Sequence, residues 1–257
     1  MVNTLFFHPG KMGDALYSIP AIYGYCFEHR DEAICFSTSD YCEPILSVFN
    51  QLSFIDHTFV DKTYKIERMD IGCQPIEPCE VDGFDKVFSL GFPNVPDTNI
   101  PDYIGNLIGV KNASQYCLDI FHQAKKKPGN NVVIAPRGLT SFHESFKYLT
   151  KTLESFGYNV YIIGGPEDYA GYGINLTGLA MYTSMRLIGT VQTFYGIMSS
   201  QLVLANFTKT KKIVLHDGQS WDMRHCLYRD DITYLVNPTK EDLVKEIDGY
   251  LMYPNAK

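Results

Sequence analysis

The chain has 257 residues, 45% hydrophobic and 20% charged, proportions that exclude a disordered, collagenous or coiled-coil protein and leave room for two domains of Rossmann size. The net charge of −7 is unevenly spread: residues 1–124 hold seven Lys and Arg against seventeen Asp and Glu, whereas 125–257 hold fifteen against twelve. An anionic ligand is therefore expected on the C-terminal half, while the acidic total weighs against a protein that lives on nucleic-acid phosphates.

In chain order, residues 2–7 read as a short buried strand, 8–14 as a loop rich in turn residues, and 15–28 as a helix with apolar positions at Leu16, Ile19, Ile22, Tyr23 and Cys26. Strands are expected at 33–37, 54–60 and 85–90, with helices at 41–49 and 101–110; residues 61–84 show no period. The basic, Pro-Gly-containing stretch 122–130 reads as a linker, after which the pattern restarts. Strands are expected at 131–135, 159–163, 213–215 and 232–235, and helices at 142–156, about 181–195 and 240–251. The last helix is expected to cross back to the first half. Alternating strands and helices predict parallel sheets, and the restart predicts an α/β fold of two Rossmann-like lobes facing a cleft, 1–124 and 125–257.

Four loops could carry chemistry. In the first, Gly10, Lys11, Gly13 and Asp14 join a strand to a helix; Asp14 is either a helix N-cap or a group facing the cleft. In the second, Arg137, Gly138, Thr140 and Ser141 form a small-residue loop before a helix, where backbone N–H groups and one guanidinium suit a phosphate. Ser141 with Glu144 also fits a capping box. In the third, a strand ends at Gly164-Gly165, with Glu167 placed for ribose or base. In the fourth, Ser199 and Ser200 open a helix as caps or as a phosphate cradle. Lys-rich 125–127 and 209–212 read as solvated loops.

The sequence contains no DxD, HExxH, GxSxG, Walker A or Cys-x-x-Cys pattern, so neither a metal site nor a Ser-His-Asp hydrolase is expected. Most of the seven cysteines read as reduced, buried small side chains. No apolar run reaches the ~20 residues of a spanning helix. The N-terminus lacks the basic start and small-residue cleavage site of a signal peptide, so a cytoplasmic protein is expected.

Taken in order, these stretches resemble the heptosyltransferase-like glycosyltransferases of family GT9, which have GT-B architecture. Gly13-Asp14 followed by Pro20 is similar to that family's opening GDxxxxxP signature. Val133 to Arg137 resembles its HPG strand-loop, and Gly157 to Asp168 its GyxvvllGgpeE segment. Asn175 to Gly178 is similar to NLtG, and Ser199-Ser200 with Leu204-Ala205 to its late serine loop. The family's donor-loop Asp and the Gly after the serine have no counterpart in Met198-Ser199-Ser200-Gln201.

The resemblance implies an inverting, metal-independent transferase that needs no cofactor and uses a nucleotide-diphosphate sugar as co-substrate. Asp14 would be the base. Lys11, Arg137, Gly138, Thr140, Ser141, Gly165, Glu167, Ser199 and Ser200 would bind the donor. Its acceptor would be a saccharide or, as in some phage enzymes, a hydroxymethylated base in DNA. A non-catalytic nucleotide or sugar binder on a degenerate scaffold is the remaining alternative.

Overall fold

A computed structural model describes residues 2–62, 82–91, 98–136, 145–216, 218, 227 and 229–252, the last five for backbone only. The first half runs β1 (Val2–His8), α1 (Met12–Leu16), α2 (Ser18–Glu28), β2 (Glu32–Ser39), α3 (Leu46–Phe49), β3 (His57–Asp61), β4 (Lys86–Ser89) and α4 (Ile100–Leu107). The second runs β5 (Asn131–Ala135), α5 (Ser145–Ser155), β6 (Asn159–Ile162), β7 (Ile174–Asn175), α6 (Met181–Thr190), β8 (Thr193–Gly196), α7 (Ser200–Asn206), β9 (Lys211–His216), β10 (Ile232–Val236) and α8 (Lys240–Met252).

The strands form two separate sheets, every pair parallel: β3-β2-β1-β4, and β10-β9-β8-β5-β6-β7. Parallel strands need crossover connections, and the helices that make them cover the faces. In β5 this leaves no polar face: Val133 and Ala135 enter one apolar cluster, Val132 and Ile134 the other. The first cluster holds Phe6, Ile34 and Phe36 of the first sheet together with Val133, Phe194 and Val214 of the second, so one core joins the two sheets. The second cluster lies on the far face of the second sheet, under α5 and α8.

Three expectations are corrected. The helix at 181–195 ends at Thr190, and Thr193 to Gly196 is strand β8. Its Thr-Phe-Tyr sequence buries both faces, which an apolar run this short does not distinguish from a helix end. The last helix does not cross back: Leu243 and Ile247 bury beside α5 on the second sheet. The Lys-rich segments are not both solvated loops. Lys212 is fully buried, its Nζ donating to Thr208 O at 2.6 Å and pairing with Asp231. Lys126 Nζ donates to Val191 O and, at 2.6 Å, to Thr210 Oγ1. A buried backbone carbonyl must find a donor, and these two ammonium groups supply it. Gln123 adds bonds to Leu118 O, Phe121 O and Phe207 O, which fastens the connecting segment to the second sheet.

Candidate active site

Each sheet reverses its direction of growth once. In the first, the chain adds β2 and β3 on one side of β1, then returns to place β4 on the other. In the second, it builds β6 and β7 outward from β5, then returns to lay β8, β9 and β10 on the opposite side. Crevices outside the carboxyl ends of strands at such reversals are where open α/β sheets bind ligands. The Gly10–Asp14 loop follows β1, and Ser199-Ser200 follow β8, so the order of strands selects two of the four loops expected from sequence.

The two reversal points abut. A Cβ built on Gly13 would lie 3.7 Å from both the nitrogen and the Cα of Ser200, and 3.6 Å from Val203 Cγ2. Helix α1 packs against α7 along this line. One turn after Asp14, the Tyr17 hydroxyl accepts a buried bond of 3.2 Å from Asn206 Nδ2. Nothing local in the sequence marks Tyr17 except its i+3 spacing from Asp14, which puts both on one helix face.

Asp14 is not an N-cap. Lys11 holds that position with extended backbone, and α1 begins at Met12, two residues before the carboxylate. The half-buried carboxylate accepts no hydrogen bond from any described residue. Burial raises its pKa from 3.8 to about 7, against the opposing pull of the Lys11 ammonium. Desolvation disfavours the charged form and here outweighs the neighbouring cation. A carboxylate near neutrality can take a proton and release it within the same turnover.

His8 ends β1 and is fully buried. Its Nδ1 accepts from Gly10 N at 3.1 Å, and burial lowers its pKa to about 3. It is therefore neutral, with that nitrogen committed to the loop. His216 repeats the arrangement at the end of β9, accepting from Gly218 N at 2.8 Å.

The donor residues expected from sequence divide into three groups. Arg137, Gly138, Thr140 and Ser141 lie outside the described residues. Gly165 and Glu167 follow β6, one strand further from the reversal than β5. There Asp168 Oδ2 accepts from Gly165 N at 2.8 Å, and Glu167 is exposed. Gly164 has φ +134°, and a Cβ there would meet Asp168 Oδ2 at 2.1 Å, so only glycine closes this turn. Ser199 is the N-cap of α7 but makes no capping bond, and its buried hydroxyl has no partner among the described residues. Ser200 opens α7 directly behind Gly13. Of the sequence-derived set, Lys11, Asp14, Ser199 and Ser200 thus converge. Among the described residues no cluster of three or more His, Cys, Asp or Glu could hold a metal ion, and no helix is long and apolar enough to cross a membrane.

No family model matches the chain, and no curated protein matches it in sequence. Solved structures do match. ADP-heptose lipopolysaccharide heptosyltransferase II of E. coli superimposes with a TM-score of 0.70 at 14% identity, over 99% of this chain and 100% of that one. A glycosyl transferase of family 9 from Veillonella parvula gives 0.66 at 11%, over 95% and 91%. The dodecameric, iron-containing glycosyltransferase TibC of enterotoxigenic E. coli gives 0.62 at 13%, over 93% of this chain and 63% of that one. The chain therefore has the two-sheet α/β fold of the heptosyltransferase-like glycosyltransferases, as its ordered loops suggest.

Proposed function

We propose that the chain is a glycosyltransferase that moves a sugar from a nucleotide-diphosphate donor to an acceptor hydroxyl with inversion. The observation that carries this reading is Asp14: a carboxylate raised to about 7, without a hydrogen-bond partner among the described residues, set where the reversal points of two parallel sheets meet. The fold it shares with an ADP-heptose-dependent transferase supports the nucleotide-sugar class.

In this reading residues 1–124 carry the acceptor and 125–257 the donor. Asp14 takes the proton of the acceptor hydroxyl as its oxygen attacks the anomeric carbon, and the bond from that carbon to the diphosphate breaks. The diphosphate leaves with added negative charge. Lys11, Arg137 and the backbone N–H groups of Gly138, Thr140 and Ser141 stabilise it, with Ser199 and Ser200 alongside. Gly165 and Glu167 hold the nucleoside. In this reading no resident metal is required, so EDTA should leave turnover unchanged. The acceptor is a saccharide rather than DNA, because Lys126 and Lys212 spend their ammonium groups on internal carbonyls and Asp231.

The test uses ADP-heptose and related nucleotide sugars, with release of nucleoside diphosphate as the readout. Asp14→Asn should bind the donor normally and lose roughly 10²–10⁴ in turnover. Normal turnover in that variant removes Asp14 from the reaction. Thermal shift without any release of diphosphate from the wild-type chain marks a binder instead of an enzyme.

A further inference from the structure

The ladder between β1 and β2 stops at the pair His8 and Thr38, yet the chain beyond it remains buried. Its polar groups are satisfied by side chains from the end of β2 and the 3₁₀ turn that follows, Asp40–Ile45. Thr38 Oγ1 donates to His8 O at 2.8 Å, Ser39 Oγ to Pro9 O at 3.1 Å, and Cys42 Sγ to Gly10 O. Three consecutive carbonyls are thus held by three donors from one neighbouring segment. The Gly10 N–H goes to His8 Nδ1, and Pro9 has none to place. The next carbonyl, of Lys11, already accepts the first bond of α1, from Ala15 N at 2.9 Å. No carbonyl between β1 and the helix bearing Asp14 is left unheld, although the segment contains Gly10. His8, Thr38, Ser39 and Cys42 are all fully buried.

We propose that Thr38, Ser39 and Cys42 are positioning residues: by holding the carbonyls of residues 8–10 they fix the entry to α1, and with it the place of Asp14. The proposal rests on the reading of Asp14 as the base. Backbone position matters here because a displacement of about 1 Å of a reacting group can cost 10²-fold in rate. Holding the loop closed on this side is also expected to maintain the desolvation of Asp14. The groups whose charge reaches that carboxylate are few. Lys11, on its own segment, is the charge that acts on it; the 3₁₀ turn packed against α1 carries Asp40, Tyr41, Cys42 and Glu43, and α7, also packed against α1, carries no titratable side chain. Cys42 feels the Asp14 charge, and burial pushes its thiol up to about 12, so it stays a neutral donor.

The experiment titrates the Asp14 carboxyl by NMR in the full chain labelled with ¹³C-aspartate, with Asp14→Asn identifying the resonance. Release of ADP from ADP-heptose is followed in parallel. Thr38→Val and Cys42→Ala should lower the Asp14 midpoint by about one unit or more as water reaches it, and reduce kcat about tenfold or more at nearly unchanged KM. Thr38→Ser and Cys42→Ser keep a donor and should restore both. A purely structural role predicts lower melting temperatures with the Asp14 midpoint unmoved, and that outcome overturns the proposal. Should Thr38→Val fail to fold, the same titration of Cys42→Ala decides. An Asp14→Asn protein with normal turnover sinks the reading of the base itself. An inactive Asp14→Asn beside an unshifted titration in Thr38→Val and Cys42→Ala sinks only the positioning role.

Discussion

Glu32 and Asp231, at the amino edges of the two sheets, and Asp14, beyond the carboxyl edge of the first, sit in opposite environments. At the amino edge of the first sheet, Glu32 accepts from Thr4 Oγ1 at 2.5 Å and Tyr25 OH at 3.0 Å, and pairs with Lys86 and His29. Desolvation would raise its pKa, but the bonds from Lys86, Thr4 and Tyr25 prevail and hold it at about 2. At the amino edge of the second sheet, Asp231 is similarly bound by Lys212 and by a forked Arg229, at 2.9 and 2.8 Å. At the carboxyl edge, Asp14 has no such partners and rises to about 7. Where partners outweigh desolvation, a carboxylate contributes to stability; where desolvation wins, stability is given up for a group that can exchange a proton. The fold thus pairs Glu32 and Asp231 where β2 and β10 begin, and leaves Asp14 without such partners beyond the end of β1.

The pH dependence of turnover separates the edges most strongly. Below about 7 a proton occupies the base, so kcat should fall about tenfold for each further pH unit. Glu32→Gln should keep that acid limb in place, because its cluster lies at the far end of the sheet. A limb that moves in Glu32→Gln would show that the two edges are electrically coupled.

Arg137→Ala tests the donor side. Loss of a charge-assisted bond to the diphosphate should weaken donor binding by about 1.5–3 kcal/mol, read by calorimetry with ADP-heptose. Unchanged affinity removes Arg137 from the phosphate site.

Thermal unfolding against pH gives the two carboxylates opposite signs. The folded pKa of Glu32 lies below its ordinary value of 4.5, so its stabilisation is complete above that value and is lost as pH falls through about 2. The folded pKa of Asp14 lies above its ordinary 3.8, so folding is penalised as pH rises from about 4 through about 7. Asp14→Asn should therefore melt higher than the wild type at pH 8 and level with it near pH 3. Glu32→Gln should melt lower at pH 7, by roughly 2–4 °C for each kcal/mol lost. An Asp14→Asn protein that melts lower at pH 8 would mean that Asp14 is a structural partner after all.

The smallest effect concerns nucleic acid. Duplex DNA should give no salt-dependent mobility shift at physiological ionic strength, and Lys209→Ala should change nothing, since the basic segments it would join are bonded inward. A retarded band that weakens steeply with salt would restore DNA as an acceptor.

Much of this protein could be read locally. The strands at 2–7, 33–37 and 131–135 follow from short apolar runs, and the helix within 15–28 from apolar spacing at the 3.6-residue period of the backbone. The loops after the strands showed themselves through glycine, serine and charge, and Asp14 stood out as the acidic residue beside one of them. The short strand β8 was lost inside a helix because four buried residues carry no period. Thr38, Ser39 and Cys42 passed unnoticed, since hydroxyls and a thiol in a strand end look alike whether or not a carbonyl faces them. The inward turn of Lys126 and Lys212 was hidden for the same reason: a lysine run reads as solvated until the carbonyls around it are known. The sequence by itself determined the alternation of elements and the chemistry of each loop, because these depend on neighbours along the chain. Strand order, the meeting of the two reversal points, and the pKa of Asp14 were decided only by the tertiary structure, because desolvation and contact depend on residues nearly two hundred positions apart, as Tyr17 and Asn206 are.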